Sequence, residues 1–210
     1  FTRSSSAAPA SGSSPPVIAF TVPARVGLLG NPSDGYGGRT IALAVDRFAA
    51  TVQLEPPDGL RLEIVPGLTD HPIWSDADDF VDRIDRFGYG TGPQLLAAAV
   101  RTFVDVCDSV GLGAPDGFRL SYTSTIPRQV GLAGSSALVV ATLRCLGEHV
   151  GLDVPHDVLP SIALRTETEQ LGITAGLQDR VVQTFGGLVS MDFSTMVTDG
   201  RFGVAHGVYE

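Results

Sequence analysis

Ile126-Pro127-Arg128-Gln129-Val130-Gly131-Leu132-Ala133-Gly134-Ser135-Ser136-Ala137 runs directly into Leu138-Val139-Val140-Ala141. Before it, Phe118, Leu120 and Tyr122 alternate with polar residues as a half-buried strand does. After it, residues 137–150 read as a helix that is apolar on several sides and therefore buried. A strand, a Gly/Ser loop and a helix start, in that order, make an anion site. Free backbone N–H groups converge there, the helix dipole adds partial positive charge, and no large side chain bars approach. The serines can cap the helix or face a metal ion held by phosphates. The same loop also reads as ordinary turn chemistry before a capped helix. Its neighbours decide between the two.

Towards the N-terminus, 17–22 and 25–29 read as strands separated by Pro23. A polar loop with four glycines follows at 30–38, then a β-branched and apolar run at 40–54. Leu60, Leu62 and Ile64 alternate with Arg61 and Glu63 as another strand. Phe80, Ile84 and Phe87 have helical spacing within 76–87, and Leu96, Ala99, Val100, Phe103, Cys107 and Val110 form a second helical stripe. Towards the C-terminus, a helix is expected over 155–171 with Pro160 near its first turns. A shorter one is expected near 174–185, then strands at 188–193 and 202–208. Residues 1–16, rich in Ser, Ala and Pro, read as a disordered lead-in to a single domain at 17–210. Strands dominate the first part and helices mix in later, which predicts an α+β fold with a mixed sheet.

Composition narrows the chemistry. The net charge of −9 opposes a nucleic-acid partner held by phosphate neutralisation. The apolar runs are too short to span a membrane. Cys107 and Cys145 lie in apolar helical patterns and read as buried thiols of a reducing, cytoplasmic compartment. The 14 basic residues are all arginine. Without lysine there is no Walker-type P-loop and no Schiff base, so any phosphate clamp here is arginine, backbone amide or metal.

With its neighbours, the 126–137 loop resembles the second signature of the GHMP kinases, a Pro followed by a Gly-Leu-small-Ser-Ser-Ala run. Gly134 is one residue more than that pattern holds, so either Ser135 or Ser136 is the magnesium-facing serine, with the helix start favouring Ser136. Val22-Pro23-Ala24-Arg25-Val26-Gly27-Leu28-Leu29-Gly30 resembles the first signature of the family's sugar kinases. There the sequence continues Glu-His-Thr-Asp. Here Asn31-Pro32-Ser33-Asp34 keeps only the carboxylate, a departure that argues against plain galactokinase activity. The run 25–34, with Pro127-Arg128-Gln129 and Gly176-Leu177-Gln178-Asp179-Arg180, is most similar to the branch that phosphorylates D-glucuronate at its anomeric hydroxyl.

The resemblance implies roles. Gly131, Leu132, Ala133, Gly134, Ser135 and Ser136 would cradle the phosphates of ATP, and Trp74 would lie by the adenine. Glu167 and Asp179 have the family's separation of metal-binding glutamate and catalytic base, with Glu169 competing for the metal. Magnesium would sit between Ser136, Glu167 and the phosphates. Without the other motifs these acids read as a solvated helix face. Arg25 would face the developing charge, Asp34 would grip sugar hydroxyls, and Tyr36 would stack on the sugar. Arg128, Arg39 and Arg180 stand as alternatives for reading a uronic acid's carboxylate. The implied reaction is ATP-dependent phosphotransfer to an alcohol, on glucuronate or else galacturonate, arabinose or galactose. The family's glycine-rich C-terminal lobe has no counterpart in these residues. A missing lobe, a second chain that completes the site, and a non-catalytic sugar- or nucleotide-binding lobe all remain open.

Overall fold

A computed structural model describes residues 17–56, 62–65, 73–89 and 94–210. The lead-in at 1–16, Leu60, Arg61 and His71 lie outside the described residues. Strands β1 (Ile18–Leu29), β2 (Arg39–Glu55), β3 (Leu62–Val65) and β4 (Ile73–Trp74) precede helices α1 (Ala77–Phe87) and α2 (Gln94–Ser109). Strand β5 (Phe118–Ser124) leads to α3 (Gly134–Val150), α4 (Leu159–Arg165) and α5 (Gln178–Phe185), and the chain closes with β6 (Leu188–Thr198) and β7 (Ala205–Tyr209). The architecture is α+β, as the order of elements predicts.

The sheet is organised by β2. Its residues 50–55 pair with β5 and its residues 39–43 with β6, both antiparallel, while β1 runs antiparallel along it from Ile41 to Leu54. The path continues β4-β3-β5-β2-β6-β7, and β3–β5 is parallel, so the sheet is mixed. The apolar stripe of α2 and most of α3 bury with Val52, Leu54, Phe118 and Leu120 into the main core. A second core of Val181, Val182, Val189, Met191 and Phe193 lies under α5. Cys107 and Cys145 are free and buried, and burial pushes their thiols up to about 11 and about 12. Among the described residues no helix is long and apolar enough to cross a membrane.

Four local readings change. Pro23 does not break the first strand: it sits at a register shift between Pro23 and Ala24, where β2 bulges and no ladder N–H is needed from it. The 30–38 loop contains a 3-10 turn at Ser33–Tyr36, entered through a cis Asn31–Pro32 bond. The expected long helix over 155–171 is α4 followed by a π-helical turn, Thr166–Gln170, with Pro160 in the first turn of α4. The helix expected near 174 starts only at Gln178.

Candidate active site

Strand β5 ends at Ser124 and the loop that follows folds back on itself before α3. Gln129, Gly131 and Ala133 all take positive φ, at 61°, 74° and 57°. Such turns aim successive amides to one side and make an anion-binding concavity. Ala133 caps α3 in the left-handed region, and the helix that follows is 17 residues long. The loop walls a cleft of about 620 Å³ lined by residues 126–135 together with Leu95, Tyr122 and Leu138. A smaller cavity, of about 430 Å³, lies beside Arg144 and Gly147 on α3 and contains none of the predicted site residues.

Two elements hold the loop from behind. On β1, the Arg25 backbone N–H donates to the Leu132 carbonyl at 3.3 Å, and its Nη1 donates to the Gly131 carbonyl at 3.2 Å. From α5, Gln183 Nε2 donates to the Ala133 carbonyl at 2.7 Å and the Pro23 carbonyl at 3.3 Å. Gln183 was not among the expected site residues. Its signal was available, since it stands four positions after Asp179 and so on the same face of α5.

Asp179 opens α5, and Arg25 Nε donates to its Oδ1 at 2.6 Å, with the two side chains only 23% and 14% exposed. Burial pushes the Asp179 carboxyl above its ordinary value; the Arg25 charge opposes that rise and the nearby Asp34 adds to it. Asp34 is brought to the same place by the 3-10 turn, its Oδ2 accepting from the Gln178 backbone N–H at 3.1 Å. Gly176 makes that approach possible, because a Cβ there would run into the Asp34 carboxylate. The structure therefore unites Arg25, Asp34, Asp179 and the Gly131–Ser135 loop.

Other predicted residues are not brought in. Trp74 is 7% exposed and packs edge-on against Phe80 in the main core, away from the cleft lining. Tyr36 is 86% exposed. Arg39 is bound to Asp192 at 2.7 Å, and Glu169 to Arg165 at 3.1 Å. Arg128 lines the cleft, is exposed, and pairs with no acid among the described residues. Ser136 is buried with its hydroxyl donating to the Ala133 carbonyl at 3.2 Å, whereas Ser135 is exposed and faces the cleft. Of the two serines, only Ser135 therefore lines the cleft. Glu167 is buried and ion-paired with Arg180, while its Oε2 and the Arg180 Nε make no hydrogen bond among the described residues. The Ser136 hydroxyl and the Glu167 carboxylate thus both have partners within the protein, and among the described residues no three His, Cys, Asp or Glu side chains gather as a metal site.

Comparisons with known proteins converge on one family. Residues 88–187 match the GHMP kinases N terminal domain. Glucuronokinase 1 of Arabidopsis thaliana is 43% identical over 189 residues, covering 89% of this chain and 51% of that protein. The mevalonate kinase of Pyrococcus furiosus is 28% identical, covering 82% of this chain and 51% of its own. The crystal structure of Lactococcus lactis galactokinase complexed with galactose superposes with a TM-score of 0.72 at 20% identity, over 94% of this chain and 48% of that one. The chain spans about half the length of these relatives.

Proposed function

We propose that this chain, whose residues 88–187 match the GHMP kinases N terminal domain, belongs to an ATP-dependent sugar-1-kinase of that family that phosphorylates the anomeric hydroxyl of D-glucuronate. The observation that carries the reading is the double contact of Arg25, which grips the Asp179 carboxylate and the Gly131 carbonyl of the loop at once. One side chain thereby ties the base that activates an acceptor hydroxyl to the loop that seats the phosphoryl donor. Phosphoryl transfer needs little else from a protein than such positioning and charge compensation.

In this reading the phosphates of ATP lie on the loop at 131–135, against the free N–H groups at the start of α3 and the Ser135 hydroxyl. Asp179 accepts the proton of the anomeric hydroxyl. Arg25 balances charge that develops on the transferring group. Asp34 holds sugar hydroxyls, and Arg128 reads the uronic carboxylate, being the one of the three candidate arginines that pairs with no acid among the described residues. The 43% identity to a plant glucuronokinase supports the choice of sugar over galactose. A C-terminal lobe, in cis or from a second chain, completes the site, since the relatives run about twice as far. Two free, buried thiols support a cytoplasmic location.

The test is ADP release from Mg·ATP with D-glucuronate, D-galacturonate or D-galactose, on this chain and on one extended to the relatives' length. Glucuronate-dependent release that Asp179→Asn lowers by about 100- to 10,000-fold, with ATP affinity unchanged, is expected. Release with galactose alone refutes the uronic-acid assignment. Nucleotide affinity lost in step with turnover refutes the role of Asp179.

A further inference from the structure

The residue after the proposed base is an arginine, and its surroundings differ from those of every other cation near the cleft. Arg180 and Glu167 are 4% and 2% exposed, and the guanidinium Nη2 rests on Glu167 Oε2. The same guanidinium donates through Nη1 to the Gly176 carbonyl at 2.7 Å and stands 3.8 Å from Asp179 Oδ2. Glu167 belongs to the π-helical turn, whose carbonyl at Glu167 accepts the Ile173 N–H at 2.8 Å. Burial and the nearby Arg25 bring Arg180 down only to about 10, so it keeps its charge at neutral pH.

Four charges thus alternate through the buried wall of the site: Glu167, Arg180, Asp179, Arg25. The two ion pairs cancel each other, and the Asp34 carboxylate beside them leaves one net negative charge. A divalent cation at Glu167 would have to displace a guanidinium that is only 4% exposed, or lie beside it at the cost of like-charge repulsion. We propose that Arg180 is the resident cation of this site and that Glu167 binds it in place of a divalent ion, so that the metal accompanying ATP is left to the phosphates and the cleft-facing loop. The proposal rests on the kinase reading only for the identity of the nucleotide; the ion pair and its test stand on the folded chain alone.

The test compares wild type, Glu167→Gln, Arg180→Gln and the double variant in urea unfolding, each with EDTA and with millimolar Mg2+. Each single change strands a buried charge, whereas the double change leaves two neutral, similarly shaped side chains. The expected result is a double variant with an unfolding midpoint higher than that of either single variant, and no rise of the wild-type midpoint on adding Mg2+ that Glu167→Gln removes. Additive losses overturn the proposal, because the pair is then not formed. A Mg2+-dependent rise in wild type that Glu167→Gln abolishes overturns it equally, because Glu167 is then a metal ligand. Neither readout requires sugar turnover, so a failed glucuronate assay leaves the result interpretable.

Discussion

Asp179 is placed by opposing influences whose balance is measurable. Burial lifts its carboxyl above the ordinary value of 3.8, and Arg25 holds that rise in check. As the proposed base, Asp179 works only when deprotonated, so turnover is expected to fall as pH drops through this raised value, at higher pH than an exposed aspartate would give. Arg25→Met removes the restraint. It is expected to move the acidic limb of the kcat profile to still higher pH while lowering kcat, and an unmoved limb would assign the titration to another group. The raised value carries a matching sign for stability: the contribution of Asp179 is full below 3.8 and is lost as pH rises through the folded-state value. Arg128 offers a second residue-scale test. Arg128→Met should raise KM for glucuronate by about 10- to 100-fold, the worth of a charge-assisted hydrogen bond, and leave KM for ATP and for uncharged sugars in place. A parallel rise in the ATP constant would make Arg128 a phosphate contact instead.

At the scale of elements, the site depends on close approaches that a spacing pattern does not display. The 3-10 turn at Ser33–Tyr36 reaches the start of α5 only because Gly176 has no side chain. Gly176→Ala should push Asp34 off the Gln178 N–H and raise KM for the sugar, with thermal stability and ATP binding little changed. A global loss of stability would show that the contact serves folding rather than the acceptor. The loop before α3, the stripe of α2 and the strand β5 were all legible from periodicity and from Gly/Ser chemistry. Pro23 was misread because a proline breaks a strand only where its N–H is needed, and the bulge in β2 removes that need. The pairing of Glu167 with Arg180 was hidden for a related reason. The spacing of two acids says nothing about which cation the fold swings between them, and here it comes from the first turn of α5. Trp74 misled because an aromatic near a motif looks the same in sequence whether it faces a ligand or, as here, Phe80.

For the whole molecule, β2, the longest strand among the described residues, links both halves of the site. Through β5, β2 is joined to the loop that leads into α3; through β6, it is joined to the layer on which α5 lies. The order of motifs along the chain was readable, but their convergence was not, because it depends on long-range pairing. Asp46, Arg47 and Phe48 have no register partner on β1, so the strand has a seam between its two paired stretches. The seam has a consequence for isotope exchange. Deuterium should enter residues 46–48 far sooner than 39–43 or 50–55, leaving two separately protected blocks within one continuous strand. Peptide-resolved mass spectrometry reads this directly, and one uninterrupted protected block would mean that the seam is closed in solution. Two blocks would mean that the stretch of β2 beside β6 and the stretch beside β5 are protected independently, each by its own neighbour.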